Sequence, residues 1–217
     1  TIFWIVGITN TLNLIDGLDG LSAGVSGISA SSFFIVASIM STKLGHPDFM
    51  VVPILLSAIL AGSAFGFLPH NFNPAKIFMG DTGSLFLGFM LSVIAIEGVM
   101  KGVATIAIVI PILISGLPIF DTTFAILRRF INKRPIMEAD KGHLHHRLLD
   151  KGLSQKQTVL VLYTISVLMS LSAISFSNLS FGIGIVGSLL VSTILFNAVS
   201  TNHSSRVVEV KKREEDR

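Results

Sequence analysis

The chain has 217 residues, of which 51% are hydrophobic and only 13% charged, and its mean hydropathy is +0.75. That leaves too little polar surface to cover a water-facing globule, which argues against a soluble domain and predicts an integral membrane protein. The net charge is only +3, and without cysteine neither a disulfide framework nor a thiolate nucleophile or metal site is available.

Residues 1–9 are apolar but span less than half of the roughly 20 residues a helix needs to cross the hydrocarbon. Lacking an initiator Met and a basic n-region, they predict that the sequence begins inside a transmembrane helix. Apolar runs long enough to cross follow at 21–41, 49–69, 83–99, 103–120, 157–176 and 181–199. The expected fold is therefore all-α: a polytopic membrane bundle in one domain, 1–217, with six full crossings behind a truncated first helix. Turn-forming residues separate the runs, at Gly45 to Pro47, Pro69 to Pro74, Lys101-Gly102 and Ser177-Asn178.

Alternation of the crossings puts 10–20, 70–82, 121–156 and the tail 200–217 on one side. That side holds fourteen of the sixteen Lys and Arg residues, the exceptions being Lys43 and Lys101, so the positive-inside tendency makes it cytoplasmic. Eleven of the thirteen acids fall there too, all but Asp48 and Glu97. Carboxylates at the ends of apolar helices are costly unless hydrated, paired or metal-bound, so their convergence predicts an active site at the cytoplasmic face of the plasma (inner) membrane. Basic residues crowd into 121–156 and the last dozen positions between apolar runs, which suits anionic lipid or a phosphorylated substrate and disfavours nucleic acid.

Three segments carry candidate chemistry. In Asn10-Thr-Leu-Asn-Leu-Ile-Asp-Gly-Leu-Asp-Gly-Leu, the residues Asn10, Asn13, Asp16 and Asp19 recur every third position, a polar stripe on a helix with glycines beside its acids. A helix cap from Asp19 or Ser22 accounts for one acid but not for the whole register. In His70 to Ser84, Asp81 is either a cap for the following helix or a hard Mg²⁺ ligand near a diphosphate. Asn71 and Phe78 offer an amide and a ring face to a nucleobase, although an interfacial Phe also serves as packing. The third segment runs from Pro118 and Asp121 through Arg128-Arg129 to Asp140-Lys-Gly-His-Leu-His-His-Arg147. His143, His145 and His146 lack a catalytic zinc spacing, and with Arg147 they fit phosphate oxygens better. The arginines could equally serve topology and lipid contact.

Taken in order, Asn10 to Gly20, Phe78-Met-Gly-Asp-Thr-Gly-Ser and Lys141-Gly-His-Leu-His-His-Arg-Leu-Leu resemble the motifs of bacterial polyprenyl-phosphate N-acetylhexosamine-1-phosphate transferases, which start teichoic acid, O-antigen and related glycans. The resemblance implies a Mg²⁺-dependent enzyme, with Mn²⁺ as a substitute, that moves N-acetylhexosamine 1-phosphate from a UDP-sugar to undecaprenyl phosphate and releases UMP. It also implies Asp16, Asp19 and Asp81 as active-site acids, Asp81 with Asn13 as metal ligands, and Asn71, Phe78, His143, His145, His146 and Arg147 as donor-binding positions. A homodimer is a further candidate assembly. Leu144 interrupts the histidine run, which favours a UDP-N-acetylhexosamine over the UDP-muramoyl-pentapeptide used by the related peptidoglycan enzyme. The family's Asp-Asp motif is absent from the chain, so part of the site is expected upstream, and the chain alone is expected to be inactive. An ion-coupled transporter and a non-catalytic membrane scaffold are the rival classes; clustering of the acids at one face, with no paired broken helices, speaks against the first.

Overall fold

The computed structural model describes residues 1–44, 47–98, 106–133, 135, 142–177, 187 and 193. The described residues form helices α1 (Ile2–Ile15), α2 (Leu21–Leu44), α3 (Val51–Asn71), α4 (Gly80–Gly98), α5 (Ile106–Ile114), α6 (Gly116–Ile131), α7 (Leu144–Asp150) and α8 (Gln155–Ser177), with a 3₁₀ turn at Pro47–Met50. All of the expected crossing at 181–199 except residues 187 and 193 lies outside the described residues, as do the tail 200–217, the separator 100–102, Glu138, Asp140 and Lys141.

Among the described residues four helices, α2, α3, α4 and α8, are long and apolar enough to cross a membrane, and α5 with α6 would make a fifth span. At 24 residues α2 is about 36 Å long, ample for the hydrocarbon. It packs against α1, α3, α4, α5 and α8 and is the most buried of the spans. Small residues make this possible: Ser22, Ala23, Ser26, Ser29 and Ala30 are all buried on it. Around that axis sits a core that includes Leu12, Leu21, Phe33, Leu91, Ile94, Ile114 and Val159. By contrast α3 leaves Val51, Val52, Leu55, Ile59 and Phe65 exposed, the pattern of a helix facing lipid.

Two expectations need correction. The polar segment 10–20 is not helical throughout, because α1 ends at Ile15 and 16–20 turn. The polar stripe therefore loses its helical register at Asp16. The run 103–120 is not one straight crossing: the chain bends by 85° at Ser115, and α6 continues to Ile131, well past the expected loop boundary at 121. Pro118 explains the break. It lies in the first turn of α6, where its missing N–H is tolerated, but the carbonyl of Ile114 four residues earlier loses its helical partner. In a membrane that acceptor must be satisfied, and the Ser29 hydroxyl of α2 donates to it at 3.0 Å. Beyond the bend α6 buries Leu117, Pro118, Thr122 and Ala125 on one face and exposes Phe124, Leu127 and Phe130 on the other.

The ends of the bundle sort as alternation predicts. Hydrogen bonds join the C-terminal end of α1, the turn before α2, the C-terminal end of α3, and the N-terminal ends of α4 and α8 at one end. At the other end Lys43 Nζ donates to Ser177 O at 3.0 Å.

Candidate active site

The last turn of α1 and the first turn of α4 make the base of the site. Gly88 lets them approach: a Cβ there would lie 2.7 Å from Thr9 Cα, so only glycine permits this crossing without a shift. One turn further along, the Asn13 amide donates to Asp81 Oδ1 at 3.1 Å and to Ser84 Oγ at 2.9 Å. Asp81 is exposed in the first turn of α4, and its carboxylate reaches across to another helix.

Asp16 follows at the C-cap of α1. Burial, with the negative charge of Asp81 added, raises its pKa from 3.8 to about 6. Two carboxylates that repel one another beside an amide and a hydroxyl form an all-oxygen donor set, suited to a hard cation. Among the described residues no three His, Asp or Glu side chains form a metal cluster by themselves. A cation held here would thus complete its shell from the amide, water and substrate phosphate, the usual habit of Mg²⁺.

Asp19 and Asn71 are placed differently. Asp19 Oδ2 accepts from Asn73 Nδ2 at 3.0 Å and from the Ala75 N–H at 3.1 Å, while Asn73 Nδ2 also donates to Gln155 Oε1 at 2.7 Å. Asn71 is 3% exposed; its Oδ1 accepts from the Gly20 N–H at 3.1 Å and its Nδ2 donates to Ile77 O at 3.0 Å. Each of its polar ends thus has a backbone partner, and the side chain is turned inward. Together these two residues fasten the 72–79 loop to the 16–20 turn. From that loop Phe78 projects, 77% exposed. Tyr163 of α8 holds the turn from below by donating to Gly20 O, at a glycine whose φ of +82° suits no other residue as well.

The histidines approach from α7. His145 is 3% exposed, directly under Gly17: a Cβ on Gly17 would lie 2.8 Å from His145 Nε2. Burial, followed by the neighbouring His146, lowers the His145 pKa to about 4, so this ring is neutral at neutral pH. His143 and His145 stack with centroids 5.8 Å apart and planes 7° off parallel, and His146 lies 4.2 Å from His145. Arg128 Nη1 and Arg147 Nε both donate to Gly142 O, at 2.8 and 3.1 Å, which fixes the start of this segment against α6. Between α6 and α7 lies a shallow recess lined mainly by Leu117, Phe120, Phe124, Leu144 and Arg147.

The structure thus gathers Asn13, Asp16, Asp81 and the histidines at one end of the bundle. Asn10, by contrast, turns its amide back to Val6 O. Four contributors carry no role of their own in the sequence, although Ser84 and Asp121 fall within the candidate segments: Ser84, Asn73, Tyr163 and Asp121. Ser84 carried a usable signal, since three positions after Asp81 it shares that residue's helix face. Asp121 binds His143 Nδ1 and the Leu144 N–H, partners more than twenty positions away in sequence.

Residues 1–99 match the family described as Glycosyl transferase family 4. The chain is 53% identical over 174 residues to a "Probable undecaprenyl-phosphate N-acetylglucosaminyl 1-phosphate transferase" of Bacillus subtilis, a match covering 80% of this chain and 46% of that protein. It is 36% identical over 207 residues to a decaprenyl-phosphate N-acetylglucosaminephosphotransferase of Mycobacterium leprae, covering 90% and 48%. A phospho-N-acetylmuramoyl-pentapeptide-transferase of Limosilactobacillus reuteri is 44% identical over 95 residues, 44% of this chain and 28% of that protein. The chain spans about half the length of the curated relatives it matches across most of its residues.

Proposed function

We propose that the chain is a member of glycosyl transferase family 4, whose model matches residues 1–99, and that it transfers N-acetylglucosamine 1-phosphate from UDP-N-acetylglucosamine to undecaprenyl phosphate, releasing UMP. The reaction would be the first membrane step of a cell-envelope glycan, run at the cytoplasmic face. The observation that carries this reading is the meeting of Asn13 and Asp16 with Asp81 and Ser84 at the end of a membrane bundle. One substrate is a lipid and the other soluble, and only such an end is open to both.

In the reaction a phosphate oxygen of the acceptor lipid attacks the donor's β-phosphorus, the P–O–P bond breaks, and UMP departs. Two anions must be brought together, so positioning and charge neutralisation supply most of the catalysis. Asp81 and Asn13, with Asp16 beside them, would hold Mg²⁺, which would supply positive charge at the diphosphate and the departing UMP. His146 and Arg147 would face donor phosphate, and the exposed ring of Phe78 would stack on the uracil. Asp19 and Asn71 act by holding the 72–79 loop that presents Phe78.

The test uses membranes containing the full-length protein, radiolabelled UDP-N-acetylglucosamine and undecaprenyl phosphate. The expected result is label in the lipid phase, with equimolar UMP, only when Mg²⁺ or Mn²⁺ is present. Absence of a lipid product, or equal use of UDP-N-acetylmuramoyl-pentapeptide, would refute the proposal.

A further inference from the structure

We propose that Asp121 is a positioning residue: its carboxylate fixes the tautomer of His143 and the start of α7, so that the orientation of α6 beyond its bend is transmitted to the histidine stack. Asp121 and His143 are both almost fully buried, with side chains 8% and 7% exposed. Asp121 lines a small, mostly apolar recess together with Ile15, Leu21, Leu117, Leu144, His145 and Leu162. A carboxylate in apolar surroundings is costly unless each oxygen is engaged. Here Oδ1 accepts the Leu144 N–H at 2.7 Å, one of the orphan donors at the start of α7, and Oδ2 lies 3.0 Å from His143 Nδ1.

A carboxylate offers only acceptors, so His143 Nδ1 must carry a hydrogen, and in the neutral form of the ring the lone pair then lies on Nε2. That choice also fixes the ring plane. The His143 plane is shared by His145, and the His145 ring abuts Gly17, next to Asp16. One side chain of α6 thereby sets the angle of a stack that ends at the turn bearing Asp16, as a carboxylate does for a histidine it orients elsewhere. The kinetic consequence rests on the proposed transfer reaction, whereas the tautomer does not.

The experiment is long-range ¹H–¹⁵N spectroscopy of His143 in the wild-type protein, with the same measurement and steady-state kinetics on Asp121→Asn. The wild type should show the Nδ1–H tautomer. Asparagine keeps an oxygen for the Leu144 N–H but turns its NH₂ toward His143, forcing the Nε2–H form. This variant should lose about 100-fold or more in kcat, with the KM for UDP-N-acetylglucosamine within about threefold of wild type and α7 amide protection retained, as when a catalytic histidine is held in the wrong tautomer. An Nε2–H tautomer in the wild type overturns the proposal, and so does a switched tautomer with near-normal kcat. If Asp121→Asn does not fold, the wild-type tautomer still decides. If the wild type turns over no donor, the transfer reading fails, while the two spectra continue to judge the positioning role.

Discussion

Replacing Gly17 by alanine would set a Cβ 2.8 Å from His145 Nε2 and 3.2 Å from its Cε1. Ordinary contact begins near 3.4 Å, so either the ring or the turn must retreat by roughly half an ångström. Gly17 is not in the left-handed region, so the backbone itself accepts the substitution. His145, packed between two other imidazoles, has little room to yield, and overpacking of this kind costs about 1–3 kcal/mol. Because a 1 Å misplacement near reacting groups can cost about 100-fold, half of that displacement should lower turnover by about tenfold. Gly66→Ala is the matched control, since a Cβ there meets nothing within 4 Å and alanine in a helix gains about 0.5–1 kcal/mol over glycine. The assay pairs thermal unfolding in detergent with lipid-product formation in membranes. Turnover of Gly17→Ala equal to that of Gly66→Ala would refute the close packing of His145 on the acid-bearing turn.

Asp81→Asn keeps the shape but loses the charge a hard cation needs, so turnover at ordinary Mg²⁺ should fall at least about 100-fold, read as label transferred to lipid. Asp16→Asn should raise the thermal midpoint at neutral pH without Mg²⁺ while reducing turnover. The fold disfavours ionised Asp16, so wild-type stability declines relative to the variant as pH rises from about 4 through 6, and unfolding scans across that range should show it. Tyr163→Phe should cost about 1 kcal/mol by removing one of the two donors to Gly20 O, the Gly24 N–H remaining, measured by chemical unfolding. In this cysteine-free chain, single cysteines at Lys76 and Asn132 should react with an impermeant maleimide from the cytoplasmic side and one at Asp48 from the other, a same-side result refuting the orientation.

Hydropathy and spacing carried most of the architecture, because a lipid-spanning helix must be apolar for about 20 residues whatever its neighbours are. That Asn13, Asp16 and Asp81 share one end of the bundle was legible as well, since alternation of the crossings put their segments on one side. The bend at Ser115 was not read, although Gly116 and Pro118 signal a break, because the apolar run continues straight across it. Local sequence could not reveal that Asn71 points inward to Gly20 and Ile77, or that Asp19 serves a loop fifty positions away. Such partners are fixed only when helices dock. The same holds for Asp121, whose position early in an apolar helix reads equally well as an interfacial acid.

The seam of small residues on α2 bears on how the protein tolerates leaving its native surroundings. Between helices immersed in hydrocarbon there is no hydrophobic drive, so what holds α2 to its five neighbours is contact at short range. The fit is tight: a methyl group on Gly24 would overlap the Tyr163 ring, and one on Gly27 would press on Phe65. Cohesion of this kind does not depend on which amphiphile wets the outside. Extraction replaces the lipid against the open face of α3 with micelle tails, which pack there as lipid does, but it offers nothing that can slip into the α2 seam. The frame beneath the acids and histidines should therefore pass into detergent whole, with turnover recoverable when acceptor lipid is returned to the micelle.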